Sequence, residues 1–307
     1  MAQLAATDGG RPGRESRPRR LLDLYLHQLA TPASLSPCLG DEVLRPRTGG
    51  ARCHTPEFGF ESSVDNVSRA VRERRIEYPV ALDNDYNVWS AFDNHYWPAL
   101  YLADAEGLVR HHHFGEGEYQ QSERIIQHLL AEAGSSDVGH DLVSVDARAA
   151  EAPADWANLS SPENYTGYER AGRFASPGGA VPGERHTCTA PAELRLDHWA
   201  LSGDWTMAEQ ATTLHTADGR IHYRFHTRDL HLVMGPAVRG KPVRFRVLID
   251  GQPPGVAHGI DVDADGNGTI DEQRLHQLVR QPRPITDRIF EITFLDPEVQ
   301  AYAFTFG

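Results

Sequence analysis

Lysine is almost missing from this chain. Lys241 is the only one, and every other basic residue is arginine. Arginine codons are rich in G and C, so the imbalance points to a G+C-rich bacterial gene. Cysteine is scarce as well: Cys38, Cys53 and Cys188 form no Cys-x-x-Cys pair and fit no zinc spacing. Three cysteines in 307 residues exclude a disulfide-built scaffold. Positive charge in excess is also absent. A formal net charge of −13 argues against a nucleic-acid binder, which needs clustered cations, and against docking on anionic lipid. No apolar run reaches the ~18 residues of a membrane span. No basic start followed by an apolar stretch marks a signal peptide. The chain therefore reads as soluble and without a sorting signal. Serine-hydrolase and phosphate-loop patterns are missing too, and nothing calls for a cofactor or a metal.

What is present suits two domains, since 307 residues at 40% hydrophobic can fill two cores. Residues 1–53 read as disordered, with Gly9-Gly10-Arg11-Pro12-Gly13-Arg14 and Arg17-Pro18-Arg19-Arg20 basic and breaker-rich. Within them Leu21–Leu29 suggests one or two helical turns. Order is expected from His54. Val64, Val67, Ala70 and Val71 recur at helical spacing behind a serine cap, with Arg69, Arg72, Glu73 and Arg74 facing solvent. Pro79–Leu82 reads as a strand and Tyr86–Phe92 as a short helix. Ala99–Ala103 and Leu108–His113 read as a hairpin around Asp104-Ala-Glu-Gly107. Ile126, Leu129, Leu130 and Ala133 make one stripe of a last helix over Tyr119–Ala133.

Helix, strand, helix, proline, hairpin and helix form the later part of a thioredoxin-type order. The residues carry the same signal in His54-Thr-Pro-Glu57, Tyr78-Pro-Val-Ala-Leu-Asp-Asn84, Trp97-Pro98-Ala99 and Phe114-Gly-Glu-Gly117. This stretch resembles the DipZ-type thioredoxin-like (redoxin) proteins, known as a domain of bacterial cytochrome c biogenesis proteins. The resemblance implies that Pro98 is cis and that Trp97 and Pro98 neighbour the redox site. It also implies thiol–disulfide or peroxide chemistry on a protein thiol or peroxide partner, without a cofactor. Family members are mostly extracytoplasmic or membrane-linked.

The family begins with a strand and a cysteine-bearing loop that opens a helix, where the helix N-terminus favours thiolate. Residues 1–53 read as lacking both. Reading the codons of Tyr25–Ala30 one base later permits Thr-Cys-Ile-Asn-Trp. The same shift on Gly49–Cys53 permits Val-Val-Leu-Gly-Val, and on Arg19-Arg20 it permits Val-Val. The expectation is that residues 1–53 are a frame-shifted translation, that the first strand and helix are lost, and that no catalytic cysteine remains. Cys38 and Cys53 are not carried over as catalytic. The recovered motif holds one cysteine followed by tryptophan, which suits a peroxide-reducing or mixed-disulfide thiol better than a dithiol exchanger.

The remainder divides into a partial thioredoxin-like α/β domain at 54–134, a linker at 135–160 and an all-β module at 161–307. Ile221, Tyr223 and Phe225 alternate with polar residues, as do Val243, Phe245, Val247 and Ile249, and Phe290, Ile292 and Phe294. That period of two, punctuated by turns, predicts a β-sandwich. Ser161-Pro-Glu-Asn-Tyr-Thr-Gly-Tyr168, Phe174–Gly179 and Trp199–Trp205 look like the carbohydrate-binding-module-like domain that follows the thioredoxin-like domain in the family. Sugars stack on aromatic faces, so Tyr165, Tyr168, Trp199 and Trp205 are the candidate ligand residues, with core packing the plainer reading. A purely carbohydrate- or protein-binding role is the alternative to redox chemistry. Asp263–Asp271 imitates the start of a calcium-binding helix–loop–helix, but Arg274 replaces the required glutamate, so a loop between strands is expected, with a weak surface calcium site as the alternative. His111 and His113 share one strand face without a third metal ligand. Glu116 and Glu118 follow that strand, and Cys188 reads as a bystander.

Overall fold

The fold is described from a computed structural model. Residues 21–27, 48–73, 75–76, 78–115, 117–135, 138–139, 141–142 and 154–307 are described, with side chains from Arg52 onward. Cys38, Arg74, Glu116, the basic segment 1–20 and most of the expected linker lie outside them.

The first module is a mixed sheet. Its strands are β1 (Leu21–His27), β2 (Thr48–His54), β3 (Val80–Leu82), β4 (Ala99–Ala103) and β5 (Val109–Phe114). The order is β3-β2-β1-β4-β5, with β1 parallel to β2 and antiparallel to β4. This corrects the reading of residues 1–53 as devoid of a strand. Leu21–His27 is the central strand, and β2 begins inside the stretch expected to be disordered. The physical reason is visible in the residues. Leu22, Leu24 and Leu26 alternate with Asp23, Tyr25 and His27, a period of two that a short run can hide as helical turns. The helix expected after β1 falls at residues outside the described ones.

Three helices complete the module: α1 (Val64–Glu73), α2 (Asn87–Ala91) and α3 (Tyr119–Glu132). Successive side chains of β4 point to opposite faces, as any strand requires. Leu100 and Leu102 meet Ile126, Leu129 and Leu130 of α3. Ala99 and Tyr101 meet Cys53 of β2 with Val88 and Phe92 of the α2 segment. Val67 of α1 packs with Ile76, beside Ala70, Val71 and Val80.

The second module starts with β6 (Asn164–Tyr165), β7 (Arg185–Cys188), β8 (Trp199–Met207) and β9 (Thr212–Leu214). It continues with β10 (Gly219–Phe225), β11 (Asp229–Pro236), β12 (Val243–Ile249) and β13 (Asn267–Ile270). It closes with β14 (Arg274–Arg280), β15 (Arg288–Phe294) and β16 (Val299–Phe306). The alternation read from the sequence is antiparallel pairing throughout. Hydrogen bonds join the strands into one large curled sheet rather than two separate ones, eleven strands among the described residues. Strand β8 makes the bend. Trp199–Ser202 pair with β10, and Gly203–Met207 pair with β7 and β9. Gly203 sits between at φ +106, and a Cβ there would lie 3.0 Å from the Gly219 backbone. The curl brings Trp199, Tyr223, Phe245 and Phe290 into one core with Leu232 and Phe304.

Two histidines are buried in this module with a ring nitrogen unpartnered. His231 of β11 is 7% exposed and lacks a partner at Nδ1. His276 of β14 is fully buried and lacks one at Nε2, while its Nδ1 lies 3.0 Å from the Arg274 carbonyl oxygen. Burial pushes each down from the ordinary 6.5 to about 4. Both are neutral in the folded chain at pH 7. Their contribution is intact above pH 6.5 and is lost as pH falls from 6.5 toward 4, by about 3 kcal/mol per group. Urea melts over that window should show a steep loss that His276→Gln makes shallower. A flat profile contradicts the assignment.

Candidate functional site

Strand β2 ends at His54, and the chain then passes through Thr55-Pro56 into a 3-10 turn at Gly59–Ser62. Asp83 anchors this end. It is 4% exposed, and its backbone N–H donates to the His54 carbonyl at 2.9 Å. Its carboxylate accepts from the Thr55 hydroxyl at 3.2 Å and from the backbone N–H groups of Val88 and Trp89 at 2.9 Å each. That satisfies the open N–H groups at the start of α2. Trp97 stands over the same end. Its indole N–H donates to the Thr55 carbonyl at 3.1 Å, and its ring lies 4.2 Å from that of Trp89. Tyr86 lies edge-on to Trp89 and donates its hydroxyl to the Pro56 carbonyl. The Trp97–Pro98 bond is cis, and the Pro98 carbonyl accepts from Gly115 N–H at 2.8 Å. Trp97 and Pro98 are thus gathered with Thr55 and Trp89 at the carboxyl end of β2.

No described thiol there is chemically awake. Cys53 is 1% exposed, and burial, with the Asp83 charge adding, pushes its thiol up to about 11. The Thr55 hydroxyl offsets this only in part. The thiolate is the nucleophile, so Cys53 is inert near neutral pH. Cys188 lies in the β-module core, and its thiol is raised by burial and by Asp204.

The four aromatic candidates for sugar stacking are not brought together. Trp199 and Trp205 are 0% and 1% exposed, which corrects their reading as ligand residues. Each indole N–H is already used, Trp199 on the Gly172 carbonyl at 2.8 Å and Trp205 on the Ser202 carbonyl at 2.9 Å. The strand alternation that makes an aromatic a platform on one face makes it core on the other. Tyr165 is engaged at the domain junction. Its hydroxyl donates to Glu57 Oε1 at 2.6 Å, and the Arg170 guanidinium lies 3.4 Å from its ring centre. Tyr168 alone is open, at 42% exposure.

That junction was not apparent from the sequence. Phe58 and Phe60 pack with Tyr165 and Tyr302, beside Val233 and Leu275. Gly59 N–H donates to Gln210 Oε1 at 3.0 Å, and Arg170 pairs with Glu57 at 2.8 Å. Glu61 is 3% exposed. Its Oε2 accepts from Glu57 and Phe58 N–H at 2.6 and 3.1 Å, while Oε1 has no partner. Burial pushes its carboxyl up to about 8 against the two backbone hydrogen bonds, and Glu57 adds to the rise. The available signal was a carboxylate set in the aromatic run Phe58-Gly-Phe60-Glu61, where a solvated acid is out of place.

The smaller constellations stay modest. Among the described residues no group of three metal-binding side chains is placed to hold an ion. His113 lies 3.6 Å from Glu118. Asp263 folds its loop by accepting from Asp265 and Asn267 N–H at 3.0 and 2.8 Å. Arg274 is turned onto Asp261 at 2.7 Å. No helix among the described residues is long and apolar enough to cross a membrane.

Residues 161–307 match the family described as thioredoxin like C-terminal domain. Over 190 residues the chain is 35% identical to Protein DipZ of Mycobacterium tuberculosis and equally to that of Mycobacterium bovis. The chain is thus similar to DipZ-type thioredoxin-like proteins over that stretch. The match takes in 59% of this chain and 26% of the mycobacterial DipZ proteins, so the chain spans about a quarter of their length. It is also 29% identical over 79 residues to the thiol-disulfide oxidoreductase YkuV of Bacillus subtilis, covering 26% of this chain and 53% of YkuV. Among solved structures, an oxidised thioredoxin-like protein is 22% identical with a TM-score of 0.32, over 40% of this chain and 86% of that one. A thiol-disulfide isomerase from Corynebacterium glutamicum is 15% identical with a TM-score of 0.35, over 43% and 96%.

Proposed function

We propose that this chain derives from an extracytoplasmic thiol–disulfide oxidoreductase acting on protein thiols in cytochrome c biogenesis or redox homeostasis, and that as translated it does not turn over. The supporting observation is the pairing of Trp97 and cis-Pro98 with Thr55 at the end of β2, where the described thiol, Cys53, is buried and held protonated. The sequence from Leu21 to Pro37 contains no cysteine that could serve at the end of β1. A frame-shifted front end accounts for the loss. Peroxide is the second substrate class consistent with a one-cysteine motif. A sugar-binding role draws no support from Trp199 and Trp205, which are core residues.

Insulin reduction with dithiothreitol should proceed at the uncatalysed rate in the presence of this chain. Replacing residues 1–53 with the translation read one base later should restore turnover. Activity of the chain as it stands overturns the inactivity. Nucleotides across codons 25–30 that do not encode Thr-Cys-Ile-Asn-Trp in that frame remove the frame shift.

A further inference from the structure

The outer face of the curled sheet carries a second set of reactive side chains, far in sequence from Trp97 and Pro98 and independent of the redox reading. His222 of β10 is the register partner of Glu291 on β15, and Arg220, two residues earlier, is the partner of Ser202 on β8. Directly opposed residues of an antiparallel pair share a face. Ser202, Arg220, His222 and Glu291 therefore stand together, on the side opposite the buried Ile221 and Tyr223. The Ser202 hydroxyl oxygen lies 3.1 Å from His222 Nε2, and His222 Nδ1 lies 3.3 Å from Glu291 Oε2. A carboxylate only accepts, so Nδ1 carries the ring proton and Nε2 is left as acceptor. Ala190 N–H donates to Ser202 Oγ at 3.1 Å, which occupies a lone pair and leaves the hydroxyl proton for Nε2. Glu291 is steadied at its other oxygen, by the Thr293 hydroxyl at 3.5 Å and Arg220 at 3.6 Å. The imidazole is 15% exposed and Ser202 is half-buried, so the pair is shielded without being sealed. Burial holds His222 below its ordinary value against the pull of Glu291, with Arg220 adding to the fall. The ring is thus a neutral base at pH 7.

We propose that Ser202, His222 and Glu291 act as nucleophile, general base and orienting acid, and that the β module thereby cleaves small carboxylic esters. A hydroxyl paired to an imidazole that a carboxylate orients is known by geometry and role, not by sequence position. Ser202 Oγ attacks the ester carbonyl carbon as its proton passes to His222 Nε2. The C–O bond to the alcohol breaks, the leaving alcohol takes that proton, and the acyl group stays on Oγ. Water then attacks by the same route. Its proton passes through His222 back to Oγ, and the carboxylic acid is released. The backbone at Ser202 and Gly203 is engaged in sheet pairing, so the charge forming on the carbonyl oxygen needs a side-chain donor. Arg220 supplies it, opposite Ser202, 48% exposed and beyond hydrogen-bond distance of Glu291. Glu291 is a positioning residue, since it acts through His222. The charged groups acting on His222 are Glu291 of β15 and Arg220 of its own strand, and β8 presents the uncharged Ser202.

The test uses the full chain with p-nitrophenyl acetate, following nitrophenolate release, and with an alkyl fluorophosphonate whose adduct is located by peptide mass spectrometry. Release should be at least about tenfold faster than from Ser202→Ala or His222→Gln, each checked for folding by circular dichroism. The fluorophosphonate should be found on Ser202 of the unaltered chain, a result that needs no variant. Glu291→Gln should slow release at least about tenfold and move the acid limb of the pH–rate profile to lower pH, because the charge that raises His222 is gone. A glutamate with a merely structural role would leave that limb in place. No adduct on Ser202, release from Ser202→Ala or His222→Gln as fast as from the parent, or an unmoved limb in Glu291→Gln overturns the proposal.

Discussion

Trp199→Ala is expected to unfold the β module. The side chain is fully buried in the main core, its indole N–H satisfies the Gly172 carbonyl, and Phe174 packs 4.7 Å away. Removing it forfeits its transfer free energy and leaves a cavity that the curled sheet cannot collapse to fill, together about 3–5 kcal/mol. Such a loss is comparable with the roughly 5–15 kcal/mol total of an ordinary domain. Tyr168→Ala, at an open position, should move stability by no more than about 0.5 kcal/mol. Denaturant melts followed by circular dichroism distinguish the two. A Trp199→Ala chain with a midpoint like the parent's would mean the ring is not core.

The second large effect runs the other way, because Glu61→Gln should stabilise the chain at neutral pH. The folded carboxyl titrates at about 8, against an ordinary 4.5. A raised group gives its full stabilisation below pH 4.5, and that is lost as pH rises from 4.5 toward 8, by about 1.4 kcal/mol per pH unit. At pH 7 the deficit is about 3 kcal/mol, which an uncharged glutamine avoids. The glutamine carbonyl can still accept from Glu57 and Phe58 N–H. Stability of the parent should therefore peak near pH 6.5. The histidines penalise lower pH, and Glu61 penalises higher pH. Melts at pH 7 and 8 in which Glu61→Gln gains nothing would show that the acid is solvated.

Much of this was legible in the residues, and what was not has a physical explanation. The stripe Ile126, Leu129 and Leu130 places α3, and the alternation of Ile221, Tyr223 and Phe225 places β10, since a helix and a strand bury faces of different period. Leu21–His27 escaped because seven residues of strand carry too few repeats to outvote the basic, proline-rich chain around them. Trp199 and Trp205 carried two readings, sugar platform and core, because alternation gives two faces without saying which is covered, and burial decides for the core. Trp97 and Pro98 were legible through resemblance, whereas Asp83, which organises their surroundings, resembled one more acid in a turn. Glu57, Glu61 and Arg170 form contacts across 113 positions of sequence in the Glu57–Arg170 pair, a separation no local pattern encodes.

Strand β8 has a mechanical consequence. Its first half belongs to one wall of the curled sheet and its second half to the other, with Gly203 at the bend. The β module therefore has no seam. If either wall loosens, the same backbone segment withdraws hydrogen-bond partners from its neighbour, and a single inserted residue in β8 would turn side chains inside out on both walls. The two walls share one fate, and the module holds or fails as a single body.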